Sequence, residues 1–302
     1  MSTDSNLFGD LPIAASPQRV SGMKILEQLQ LPSEPIYSDL ASNDSWRQTG
    51  FNLGADLRLI QSGLDISLEA VNTGYQPQSR SMVMAGYASQ WSRSLLSIAD
   101  AVLLIRSGSY QSAMSIIRQS VESAAAFRGL KEEIEEWTRW THEAFSTHTE
   151  TKATEIGIGI YFAGSVIASE ESIRNIYRAA SDFGRPNFGP TSLFVANEAT
   201  HEKYPLHFGD KSFHIGWSQL LLGWANMILN FLLQTALQNP NEFPVEDSTQ
   251  SKINTFQEEV DQLLSDPNRC YLDEFTDPEG RKRHLLTNFR RQPSDAPSRI
   301  LF

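Results

Sequence analysis

The most regular alternation of apolar and polar positions lies between Ser94 and Leu130. Leu95, Leu96, Ala99, Val102 and Leu103 recur at three- and four-residue steps, the spacing of one helix face. Ser107-Gly108 interrupts that run, and glycine readily takes the positive φ that ends a helix. Ser109 stands where it can cap the next helix. Ala113, Met114, Ile117, Val121, Ala124 and Ala125 then form a second apolar stripe, which Gly129 ends. The pattern predicts two long helices folded against each other at Gly108. The other face of the second helix, Ser112, Ser115, Gln119, Ser123 and Ala126, is small and uncharged. A solvated face normally carries charge, so another helix or a second subunit is expected to approach there, which places this helix near the middle of a bundle.

The flanking patterns extend the bundle. Residues 1–45 are rich in Ser, Pro and Asp with one short apolar segment, Met23 to Leu31, and read as a mostly extended arm. Trp46 to Val71 gives one imperfect helical pattern, broken by the Gly and Pro within 72–79. Met82 to Trp91 leads directly into the hairpin. Glu132, Glu133, Glu135 and Glu136 gather where carboxylates favour a helix start, ahead of Trp137. Thr147 to Ala168 fits helix or strand by period, and a helix is expected between two helices. Ser169 is placed to cap a helix running to Phe183, with Arg174, Arg178 and Ser181 on its outer face. Gly184 and Pro186 end it. The long connection 189–210 predicts a functional loop, with a small hairpin pairing Leu193-Phe194-Val195 and Leu206-His207-Phe208. Phe213 to Gln238 holds no Asp, Glu, Lys or Arg and is long enough for a bilayer. Gln219, Asn226, Asn230, Gln234 and Gln238 recur along it, each costly against lipid, so a buried bundle helix is expected and no membrane partner. A more polar helix from Asp247 to Leu264 follows. Cys270 to Thr276, a turn ending in Gly280, and Arg281 to Phe289 predict a β-hairpin.

The fold class expected is all-α: an antiparallel helical bundle over 46–266, with an extended N-terminal arm over 1–45 and a short C-terminal β-hairpin in a tail over 267–302. The 302 residues, 40% hydrophobic, are enough for a sizeable core. One cysteine, Cys270, excludes an internal disulfide and fits a reducing compartment. The N-terminus lacks the basic and apolar regions of a signal peptide, so a cytoplasmic location is expected. The formal charge of −11 disfavours non-specific nucleic-acid binding. From Arg269 onward seven Lys or Arg face five Asp or Glu, a mild reversal that marks where a nucleic-acid face would lie without establishing one.

Few residues fall into chemical motifs. Arg118 and Glu122, one turn apart beside the apolar stripe, form a candidate ion pair; with Tyr177 and His214 they make up a candidate polar cluster. A long helix, a Gly turn and Ala113-Met114-x-x-x-Arg118-x-x-x-Glu122, followed by Tyr177-Arg178-Ala-Ala-Ser181-Asp182-Phe183-Gly184-Arg185-Pro186-Asn187, resemble uncharacterised bacterial helical-bundle proteins related to the HEPN superfamily. The resemblance covers roughly residues 80 to 238. It implies a HEPN-like bundle and a setting in bacterial defence or stress. Members that are ribonucleases use an Arg and a His four to six residues apart, a spacing that does not occur here. Arg185 stands where related proteins often carry His, and arginine stays protonated and cannot act as a general base.

If the chain were a nuclease, Arg178, Asp182, Arg185 and Asn187 would form its site, with Arg118 and Glu122 behind. His201, His207 and His214, with Glu198, Glu202 and Asp210, match no compact ligand spacing, so neither a metal nor a cofactor is expected. No phosphate-binding or dinucleotide glycine loop and no nucleophile elbow occurs. The first reading is therefore a non-enzymatic bundle protein acting through assembly with itself or a protein partner. A degenerate RNA-directed nuclease is the second. A small-molecule sensor, with Trp137, Trp140, Trp217 and Trp224 lining a pocket, is the third.

Overall fold

The computed structural model describes residues 25–36, 39–74, 82–144, 161–195, 202–203, 206, 208–241, 243–289 and 299–301. Among these, ten helices and three strands follow in order: α1 Leu40–Asn52, α2 Gly54–Gly74, α3 Met82–Arg106, α4 Tyr110–Gly129, α5 Ile134–Ala144, α6 Ala163–Ser169, α7 Glu171–Gly184, α8 Phe188–Val195, α9 Ile215–Leu237, α10 Asp247–Leu264, β1 Tyr271–Thr276, β2 Lys282–Thr287 and β3 Ile300–Leu301. The chain is mostly helical with an antiparallel β-hairpin near its C-terminus, as its patterns predict.

The α3–α4 hairpin is the centre of the arrangement. The amide of Ser109 donates to the carbonyl of Leu104, and that of Gly108 to Ile105, the two bonds of a Schellman stop with Gly108 in the left-handed position. Gly108 has φ +76°, and a Cβ there would lie 2.0 Å from the Lys211 carbonyl oxygen. Ser109 occupies the N-cap of α4, but its side chain makes no capping bond. Instead α4 is anchored by Tyr110, whose hydroxyl accepts from the His214 amide at 2.9 Å and from Ser218 Oγ at 3.1 Å. Across the hairpin the buried Ser94 and Ser120 hydroxyls lie 3.0 Å apart, and Ser120 Oγ donates to the Ser94 carbonyl at 3.1 Å. Small residues let the helices approach closely enough for these bonds.

α4 packs on α3, α6, α7 and α9, and α9 packs on α2, α3, α4 and α10. On the small-residue face of α4, Ser123 and Ala126 are buried while Ser112, Ser115 and Gln119 are exposed. α9 is the one helix among the described residues long and apolar enough to cross a membrane, and 78% of its most apolar window is buried in the bundle. Two of its polar residues turn to backbone partners: Asn226 Nδ2 donates to the Leu222 carbonyl, Thr235 Oγ1 to that of Phe231. Gln219 reaches further, accepting from the Cys270 amide at 2.9 Å.

Several boundaries differ from the sequence patterns. The stretch from Trp46 to Val71 is two helices rather than one, because Leu53 leaves helical geometry at φ −124°, ψ 29°. α1 begins inside the stretch read as an arm, since Asp39 caps it by accepting from the Ser42 amide at 2.8 Å. Residues 25–36 contain no helix or strand. Gln61 of α2 holds them at two points, donating to the Leu29 carbonyl at 2.9 Å and accepting from the Leu31 amide at 2.8 Å. Glu170, not Ser169, stands at the N-cap of α7, and Ser169 Oγ donates to the Val166 carbonyl. The expected strand Leu193-Phe194-Val195 is helical, in α8; Pro190 falls in the first turn of that helix, where its missing N–H costs nothing. Of the predicted helix Thr147 to Ala168, residues 147–160 lie outside the described ones and Ala163 onward forms α6.

The β-hairpin pairs Tyr271 with Thr287 through Thr276 with Lys282, turning at Gly280, φ +79°. A short third strand, β3, which the sequence pattern does not announce, pairs with β2.

Candidate functional site

α7 carries polar residues on two sides, and each side meets a different part of the fold. Toward α4, the Tyr177 hydroxyl accepts from Arg118 Nη2 at 3.3 Å, and the same nitrogen donates to Glu122 Oε1 at 3.2 Å. The guanidinium also stands 5.1 Å from the Tyr177 ring centroid, a cation–π distance. Burial opposes the charge on Arg118, but Tyr177 and Glu122 outweigh it and hold the guanidinium above its ordinary pKa. Tyr161 completes the group. Burial, then the Glu122 charge, then Tyr177, push its phenol up to about 12. The cluster is a guanidinium anchored by the Glu122 carboxylate and the Tyr177 hydroxyl, with the raised Tyr161 phenol beside it.

His214 does not belong to this cluster. It caps α9, its Nδ1 accepting from the Trp217 amide at 3.2 Å, and its ring lies 4.3 Å from that of Phe289. It stands where the chain enters α9, and a ring nitrogen there satisfies an amide the helix leaves open.

On the other side α7 meets the β-hairpin. Strand alternation turns Leu272 and Glu274 of β1, and His284 and Leu286 of β2, toward the bundle, and register sets Glu274 opposite His284. Arg178 Nη1 donates to Glu274 at 3.0 Å, and Lys282 Nζ donates to Glu274 Oε1 at 2.6 Å. His284 Nε2 lies 3.1 Å from Asp182 Oδ2, and its ring meets Phe183 edge-on at 5.6 Å. Burial raises the Glu274 carboxyl, but the Lys282 bond and the Arg178 and Lys282 charges outweigh it, so its pKa lies below the ordinary value.

The four residues named for a nuclease thus lie together at the C-terminal half of α7 and just beyond it, with structural work to do. Arg178 and Asp182 dock the hairpin. Asn187 Nδ2 donates to the Asp182 carbonyl at 2.8 Å, satisfying the end of α7. Arg185 is exposed and stands 3.9 Å from Asp182, a weak surface pair. Arg118 is engaged on the α4 side, with Tyr177. The histidine beside Asp182 is His284, with 10% of its side chain exposed. Its signal was the alternation of β2, Lys-Arg-His-Leu-Leu-Thr, which puts His284 and Leu286 on one face.

Of the other named groups, Glu198, His201 and His207 lie outside the described residues. The four tryptophans divide. Trp217 and Trp224 are core, 0% and 5% exposed, and Phe194 stacks on Trp217 at 4.9 Å. Trp137 and Trp140 are partly exposed and stack on each other at 5.9 Å. Compared with protein-family models, with curated proteins and with solved structures, the chain matches none of them.

Proposed function

We propose that this chain is a non-enzymatic, HEPN-like helical-bundle protein that works by assembling with a second copy of itself in bacterial defence or stress response. The observation that carries the reading is the outer face of α1. Leu40 and Phe51, each 87% exposed, lie about three turns apart on one face of that helix. Ile36 and Phe208 are exposed as well, each three residues in sequence from one member of the Asp39–Lys211 pair, which bonds at 3.2 Å at the start of α1. Large apolar side chains gathered in this way mark interaction surfaces, and a self-complementary patch is the usual basis of a two-fold dimer.

The engagement of Arg178, Asp182 and Asn187 in docking and capping supports the non-enzymatic part. The HEPN-like type and the defence setting rest on the resemblance of the segments around Arg118 and Arg178. Hydrogen–deuterium exchange at low and high protein concentration tests the assembly: peptides of α1 exchange more slowly at high concentration. Exchange in α1 independent of concentration would overturn the reading.

A further inference from the structure

A groove of about 350 Å³ runs between α3, α4, α5 and the residues that lead into α6. None of its lining residues belongs to α1, and the lining has the features of a ligand site. One wall is the Trp137–Trp140 stack, with the two planes 26° apart. Trp137 packs closely on α3 because position 86 is glycine; a Cβ there would stand 2.9 Å from the indole. A paired, partly exposed indole surface takes the π-face of a planar ring.

The charges of the lining select the rest of the ligand. Two carboxylates face the groove, Glu122 and Glu136, and both are already matched, Glu122 by Arg118 and Glu136 by Arg139. The third charged group of the lining, Arg93, has no ion-pair or hydrogen-bond partner among the described residues. Among the described residues the unmatched charge of the groove is therefore positive, on a planar fork suited to phosphate or carboxylate. Gln90 and Gln119 also line it without partners among the described residues. Each offers an amide donor and acceptor side by side, the pattern that reads the edge of a heterocycle.

We propose that this groove binds a planar heteroaromatic anion of the mononucleotide class, its ring on the Trp137–Trp140 surface, its anionic group on Arg93 and its ring edge on Gln90 and Gln119. The volume suits one such molecule, at the small end of ligand pockets.

Titration of the full chain with AMP, GMP, CMP and UMP, followed by tryptophan fluorescence and calorimetry, tests the site, with the matching nucleosides as uncharged controls. At least one mononucleotide is expected to bind and to quench fluorescence, at least tenfold more tightly than its nucleoside. Arg93→Gln, at an exposed position that leaves the fold intact, removes that tenfold preference, and Trp140→Leu removes the quenching. No binding of any of the four at millimolar concentration would overturn the proposal. So would binding that Arg93→Gln leaves unchanged.

Discussion

Arg269, in the loop that leads from α10 into the β-hairpin, forms an ion pair with Asp56 in the first turn of α2, and the two side chains are only 6% and 4% exposed. The same guanidinium donates to the Gln219 carbonyl of α9 at 2.6 Å and packs against Gly223. One side chain thus joins the tail to two bundle helices. Removing one member of such a buried pair strands the other charge. Asp56→Ala or Arg269→Ala is expected to lower stability by about 3–5 kcal/mol in urea unfolding, while the double variant Asp56→Leu/Arg269→Met costs less than either alone. A double variant as damaged as the sum of the singles would contradict this account of the pair.

Gly108 is fixed twice, by its positive φ and by the Lys211 carbonyl beside it. Gly108→Ala therefore meets backbone strain and a clash together. A loss of more than about 2 kcal/mol is expected in thermal or urea unfolding, against a small effect for Gly280→Ala, where positive φ is the sole obstacle and no atom lies within 4 Å.

The helical hairpin, the buried character of α9 and the register-ready tail were legible because each rests on local period or a glycine stop. The charged contacts of α7 were not. Arg178, Asp182 and Asn187 could be read as a cluster, but Glu274 and His284, the partners of Arg178 and Asp182, lie about a hundred positions later, and no local pattern reports which strand face will meet which helix. The Asp56–Arg269 pair was hidden for the same reason, with the added difficulty that a lone Asp near a helix start has an ordinary role with the dipole. The break at Leu53 was obscured because apolar spacing continues across it.

The hairpin docking responds to acid. Glu274 has its pKa below the ordinary 4.5 in the folded chain, so the stability it contributes is present above that value and is lost as pH falls through the lower folded value. Urea midpoints measured from pH 6 down to pH 3 should fall less for Glu274→Gln than for the unaltered chain. Equal slopes would show that Glu274 is not coupled to Arg178 and Lys282.

Arg178 and Arg185 serve docking and the surface, so purified protein is expected to leave labelled single-stranded RNA intact, with or without EDTA. Arg178→Ala should cost less than about 1 kcal/mol, because the pair is partly exposed and Lys282 still holds Glu274. RNA cleavage lost in Arg178→Ala or Arg185→Ala would instead make the end of α7 catalytic.

Assembly through α1 is tested most directly by sedimentation velocity over a concentration series reaching tens of micromolar, comparing the unaltered chain with Leu40→Ser/Phe51→Ser. Both residues are exposed, so the variant keeps its fold and melting temperature. A dimer is expected for the unaltered chain and a single chain for the variant. A monomer at every concentration, or a dimer that the double substitution does not weaken, would contradict it.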